Sequence, residues 1–253
     1  MLCVVAVLAV LAAILLTALS GARARARLTK CSANIRTHYQ AMQAYAGDAK
    51  DFFPFPFEAD RGRSGRLLVQ GLPHAVFNTT AIDFRMYLFS DGFWHLPVYE
   101  GLGSGAVADT LWCPVAKDIL AEATNERAAR ATTFYRLSMA MFLSSASLNA
   151  SRPTVHLPEN WVGARWSDVR FPDRKCLITE DVPYHDPRFT DRSNVPPHPH
   201  VRNAGGCDGA MALRNTAETT PGVVPAVLND GVTRDPQYWS MKTTPDGVQG
   251  RDW

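Results

Sequence analysis

The stretch LCVVAVLAVLAAILLTALSGARARARLTKCSANIRTHYQAMQAYAGDAKDFFPF, Leu2–Phe55, decides the architecture. Its first eighteen residues, Leu2 to Leu19, carry no charged side chain, and Thr17 is the one clearly polar member. At about 1.5 Å per residue they span about 27 Å as a helix, close to the roughly 30 Å hydrocarbon core of a bilayer. A secretory signal peptide is the rival reading, because ALSGARA offers small residues at which a peptidase could cut. Such a peptide begins with a basic region and has a shorter apolar run of about 7–15 residues, whereas here the run starts at Leu2. An uncleaved anchor is the preferred reading.

Beyond Ser20 the pattern changes but does not stop being helical. Leu28, Cys31, Ile35, His38 or Tyr39, Met42 and Tyr45 recur at steps of three and four, while Lys30, Asn34, Arg36, Gln40 and Gln43 fall mainly elsewhere. One helix from Leu2 to about Ala46 is therefore expected, apolar all round in its first half and striped in its second. Gly21 is the only early breaker, at a cost of about 1 kcal/mol that packing can offset. Gly47, Asp48 and then Pro54 and Pro56 within DFFPFPF end it, since each proline removes an amide donor and restricts the residue before it.

The remaining chain reads as one mixed domain. With 253 residues, 46% hydrophobic and 20% charged, it can bury a core. A formal charge of +2 is too small to imply a nucleic-acid partner. Thr79–Phe89 and Thr124–Leu143 read as helices, and the Gly-rich segment around Gly101, Gly103 and Gly105 as a loop, because no Gly-Lys-Ser/Thr follows it. Lys175–Thr179 is the clearest strand, with Val201 and Ala210–Asn215 as paired edge strands. Helix first and strands later make the expected class α+β. The segments are 1–20, a transmembrane helix; 21–50, its amphipathic continuation; 51–215, a globular domain; and 216–253, an irregular tail in which Trp239 and Trp253 pack back onto the sheet.

Glu180, Asp181, His185, Asp186, Asp191, His198 and His200 form the richest cluster, of ligand types that suit zinc or another divalent ion. The cluster lacks a helical His-Glu-x-x-His and any standard ligand spacing, so it reads as a polar, proline-stiffened surface loop. Ser104 lacks the strand-to-helix context of a nucleophile elbow. Phe93, Trp94, His95 and Tyr99 read as core or lid in preference to a glycan or peptide platform. Cys3 is a small hydrophobe in the apolar run. At least one disulfide is expected among Cys31, Cys113, Cys176 and Cys207, with three complete pairings open. No catalytic, cofactor-binding or metal-ligating residue is assigned.

Four elements in order, AILLTALSGARARAR, CSANIR at Cys31–Arg36, AMQAYAGD at Ala41–Asp48 and FFPF at Phe52–Phe55, resemble those of bacterial type IV pilin-like proteins. The similarity is greatest to the pseudopilin-like group abundant in planctomycetes. LWCP at Leu111–Pro114 and KCLITED at Lys175–Asp181 are similar to shorter elements of that group. The resemblance implies a pilin-like fold, with a small antiparallel sheet laid over the long helix. It also implies a non-enzymatic subunit of a type IV pilus or a type II secretion pseudopilus-like assembly. Membrane lipid and other pilin-like subunits would be its partners, with no small-molecule substrate and no cofactor. The implied location is the inner membrane, crossed once, with the domain on the extracytoplasmic side. Arg23, Arg25, Arg27 and Lys30 alone would hold their side of the helix in the cytoplasm. A membrane-anchored extracytoplasmic binding module or metal-dependent hydrolase is the alternative.

Two departures accompany the resemblance. Members of the family have a basic leader ending in glycine, cut by prepilin peptidase with methylation of the new terminus, and then a glutamate used in assembly. This chain begins within the region that follows that glutamate, so either an upstream start supplies these features or the chain is a truncated relative that is not processed. The family's C-terminal pattern is echoed by His200 and GGCDG at Gly205–Gly209, without its terminal histidine.

Overall fold

The structure, a computed structural model, describes residues 2–54, 94–99, 110–115, 133, 135–141, 163–180, 183–186, 188, 201–221 and 249–253. Helix α1 runs without interruption through Leu2–Asp48. Nothing lies within 4 Å of where a Cβ would stand on Gly21, so the helix passes that residue free of crowding. Thr17 and Ser20 turn their hydroxyls back onto the carbonyls of Ile14 and Thr17, at 2.8 Å each. Those bonds leave no hydroxyl seeking water on the apolar half.

The two halves of α1 live in different surroundings. Val4, Leu8, Leu11, Ile14 and Leu15 are all exposed, Leu15 by 69%, and none of the described residues covers them. Cys31, Asn34, Ile35, His38, Met42 and Ala46 are buried, and Leu28, Tyr39 and Tyr45 are half-buried. The stripe is the one the three- and four-residue spacing predicts, with one polar addition, Asn34. It belongs there because its Nδ2 donates to the Trp112 carbonyl at 3.2 Å and the Tyr135 hydroxyl at 3.4 Å.

Helix α1 stops before the prolines. Lys50 and Asp51 take positive φ values of 54° and 71°, and the Asp51 amide returns to the Ala46 carbonyl at 2.8 Å. Two left-handed non-glycine residues in succession are unusual and are held by tertiary bonds. The Asp51 carbonyl accepts from the Trp166 amide, and its carboxylate accepts from the Ser167 amide at 3.0 Å. Phe53 is then fully buried with its ring 4.6 Å from that of Trp166.

A four-stranded antiparallel sheet, in the order β1-β2-β3-β4, packs against the second half of α1. The strands are β1 Tyr135–Leu137, β2 Cys176–Glu180, β3 Val201–Gly206 and β4 Met211–Asn215. A one-turn helix α2, His95–Val98, lies against α1. One long apolar helix and a small antiparallel sheet make the class α+β. Helix and sheet meet closely at Gly205, where a Cβ would stand 3.0 Å from Cγ2 of Ile35 and 2.8 Å from the Met211 sulfur. A bulge between Cys176 and Ile178 breaks the alternation of β2. Leu177 and Ile178 accordingly both join the cluster built on Ile35 and Met42, while Cys176 packs with Ala204 and Trp253.

The structure corrects several expectations. Thr124–Leu143 is not one helix: Tyr135–Leu137 is a strand and Met139–Met141 a 3₁₀ turn, with 124–132, 134 and 142–143 outside the described residues. All three β1 side chains are buried, so partners in space override a helix-compatible sequence. Val201 does not open an edge strand, because β3 lies between β2 and β4. Cys31, Cys113, Cys176 and Cys207 are free thiols, not members of the expected disulfide. Thr79–Phe89, Gly101–Gly105, Phe93 and Trp239 lie outside the described residues.

The last described residues fold back onto the sheet. Asp252 is fully buried, and its Oδ2 accepts from the Cys176 amide at 2.6 Å and sits 3.5 Å from Nζ of the equally buried Lys175. Its backbone donates to the Arg174 carbonyl and accepts from Thr220. Trp253 lies under the Arg214 guanidinium, 4.3 Å from the ring centre, as the expectation for this residue required.

Candidate metal centre

Four residues remote in sequence bring one ligand atom each into a single buried knot. Cys31 comes from α1, Cys113 from the segment 110–115, Glu180 from the end of β2, and His185 from the turn that follows. Sγ of both cysteines, a Glu180 carboxylate oxygen and a His185 ring nitrogen all lie within 4.8 Å of one another. Cys31 Sγ is 2.9 Å from Glu180 Oε1, which is itself 3.1 Å from His185 Nε2. The same Nε2 is 3.6 Å from Cys113 Sγ. Cys31, Cys113 and Glu180 are fully buried and the His185 side chain is 7% exposed.

The elements hold these atoms for separate reasons. Cys31 sits on the stripe that α1 must bury, one turn before Ile35. The antiparallel register sets Tyr135 opposite Glu180, so the Tyr135 hydroxyl comes within 3.3 Å of Cys31 Sγ. Asn34 donates to that hydroxyl, whose own proton is free to reach the sulfur. The other oxygen of Glu180 accepts from the Asn203 amide on β3 at 3.1 Å. Supporting donors therefore reach both the thiol and the carboxylate.

Electrostatics within the knot are strongly coupled. The Cys113 thiol is drawn down by the hydrogen bond from Cys31, against burial, with help from His185. Cys31 moves the opposite way, far up, through that same bond, burial and the Glu180 charge. Burial would lower His185, but Cys113 and Glu180 outweigh it and raise the ring to about 10. Burial and the hydrogen bond between the two thiols therefore set Cys31 and Cys113 apart, one raised and one lowered.

That arrangement is not a nucleophile relay. In a thiol–imidazole–carboxylate relay the base uses one ring nitrogen for the nucleophile and the other for the carboxylate. Here Nε2 alone faces both Cys113 and Glu180. Four donors converging on one shared space is the geometry of a ligand set.

A second histidine lies just beyond Tyr135. His38 is fully buried, with Nδ1 2.6 Å from the Tyr99 hydroxyl and Nε2 2.8 Å from the Thr110 carbonyl. The carbonyl can only accept, so Nε2 carries the proton and Nδ1 accepts from Tyr99. Trp94 meets the imidazole edge-on at 5.1 Å, and Tyr135 approaches at 5.6 Å. Burial pushes its pKa down to about 4, although the Thr110 bond opposes this. Trp94, fully buried, and Tyr99, half-buried, are thus core, as the sequence predicts.

From the acidic and histidine-rich cluster read in the sequence, the structure brings Glu180 and His185 together and sends Asp186 elsewhere. Asp186 pairs with Arg188 at 2.6 Å, and the guanidinium holds its carboxyl far below the usual carboxylate range. Asp181, Asp191, His198 and His200 lie outside the described residues. Sequence reasoning treated Cys31 and Cys113 only as thiols or disulfide partners. Cys31 and Glu180 are 149 positions apart, and Cys113 and His185 are 72, so no local spacing could have joined them. No family model, curated protein or solved structure matches the chain.

Proposed function

We propose that this protein is a non-enzymatic, pilin-like subunit, anchored by α1 in the cytoplasmic membrane with its head on the extracytoplasmic side. Its partners are membrane lipid and other helices of the same kind, as in a type IV pilus or a type II secretion pseudopilus-like assembly. The observation that carries this reading is the division of α1, bare and apolar before Ser20 and striped and packed from Cys31 onward. A helix that only needed to hold a head at the membrane could end at the bilayer surface. This one continues rigidly into the head's core, which fixes the head relative to the membrane segment and so lets lateral packing of helices set the placement of heads. The exposed Val and Leu side chains suit both lipid and a neighbouring helix, because association in lipid rests on close packing and not on escape from water.

The test combines topology with assembly. Fusions of an extracytoplasmically active and a cytoplasmically active reporter to residue 253 should show activity for the first alone. Single cysteines at Leu8, Leu11 or Leu15, in a chain carrying Cys3→Ser, should cross-link between chains in native membranes, and the chain should co-purify with sheared filaments or with a secretion complex. A cytoplasmic head, or an uncross-linked monomer absent from every such assembly, would overturn the reading.

A further inference from the structure

We propose that Cys31, Cys113, Glu180 and His185 form a structural zinc site that clamps α1 to the head. Two thiolate sulfurs, one imidazole nitrogen and one carboxylate oxygen are the ligand types that zinc takes, and four protein ligands are the number of a closed structural site. Magnesium and calcium prefer all-oxygen sets. Around a tetrahedral zinc, bond lengths of about 2.3 Å to sulfur and about 2.0–2.2 Å to nitrogen and oxygen place ligand atoms about 3.3–3.8 Å apart. The three separations of 2.9, 3.1 and 3.6 Å and the common limit of 4.8 Å lie around those edges. Movements of about an ångström would complete the tetrahedron.

The surroundings fit the charge that such a site carries. Two thiolates and a carboxylate bring three negative charges to a doubly charged ion, leaving one in excess. The Tyr135 hydroxyl at Cys31 and the Asn203 amide at Glu180 are the donors that spread it, and Asn34 orients the hydroxyl. Binding sends the thiol protons and any proton on Nε2 to solvent, and no electrons move. All four positions are filled by protein, so the ion has no open place for water or substrate, and its role is to tie four segments of chain together.

Closeness of Cys31 and Cys113 makes a disulfide the competing fate, and the experiment separates the two. Full-length chain is purified in detergent with reductant, stripped with chelator, and titrated with zinc against a chromogenic competitor, then with cobalt. The expected result is one zinc per chain, protection of two thiols from alkylation, and the thiolate-to-cobalt and ligand-field bands of a tetrahedral site. Cys3→Ser should leave all of these unchanged. Glu180→Gln and His185→Gln, which preserve side-chain size, should weaken zinc by at least about tenfold, and Tyr135→Phe by about tenfold. Because Cys113→Ser could unfold the head, each variant is first checked for native tryptophan emission, and the wild-type titration decides by itself. A reduced, folded wild-type chain that takes up no stoichiometric zinc overturns the proposal. So does Cys31 linked to Cys113 in protein trapped with an alkylating agent directly from its host.

Discussion

Acid should loosen the head through one imidazole. His38 is neutral and buried, with its proton on Nε2 spent on the Thr110 carbonyl and its Nδ1 lone pair spent on Tyr99. Protonation must place a donor against a hydroxyl that already donates, inside a box of Trp94, Tyr99 and Tyr135. Its pKa falls from 6.5 to about 4 on folding. A lowered pKa means that the unfolded chain takes up the proton first. The contribution is therefore complete above pH 6.5 and is lost progressively as pH falls toward 4. At about 1.36 kcal/mol per pH unit, the gap corresponds to about 3 kcal/mol, a large share of the stability of a small domain. Urea unfolding of the full chain in detergent, followed by tryptophan emission from pH 7.5 to pH 4.5, should give a falling stability whose slope largely disappears in His38→Gln. Histidines elsewhere titrate in both proteins and cancel in the difference. Parallel stability curves for the two proteins would refute the buried, neutral assignment.

Asp252→Ala should cost about 3–5 kcal/mol, because it removes the carboxylate beside a buried Lys175 ammonium; an unchanged melting temperature would count against that pairing. Ile35→Asp and Met42→Asp should each strip the head from α1 and open it to limited proteolysis, and full protease resistance in both would show that this stripe is not the packing face. Gly209→Ala should destabilise by about 1–2 kcal/mol through its φ of 83° and a Cβ 3.0 Å from the Tyr39 ring, which calorimetry can read; no change would mean that the turn relaxes.

What could be read without coordinates follows from how far apart the cooperating residues are. The helix, its bare and striped halves and the strand at Cys176–Glu180 are signalled by neighbours within a few positions, and those readings stand. The helix end expected near Ala46 falls at Asp48, and tertiary bonds to Trp166 and Ser167 then hold Asp51 left-handed two residues ahead of Phe53. Tyr135–Leu137 deceived for the opposite reason: three buried residues owe their conformation to β2, 41 to 45 positions on, and not to their own propensity. The ligand knot was invisible because each member looked ordinary in its own context. Glu180 ended a strand, His185 sat among prolines, Cys31 fell on a core stripe, and Cys113 stood before Pro114. Only the antiparallel register and the packing of α1 make them neighbours.

The bond between Asp252 and the start of β2 also imposes an order in time. Residue 252 leaves the ribosome 76 positions after Cys176. Until then the buried Cys176 amide lacks the Asp252 carboxylate that receives it, and a buried donor left without its acceptor is costly, so the start of β2 stays wet until that bond forms. Helix α1, made first, reaches its environment while the head it belongs to is still open. On the topology proposed above, the head would cross a translocation channel unfolded, with no finished core to undo, and closure would wait for Asp252 to arrive.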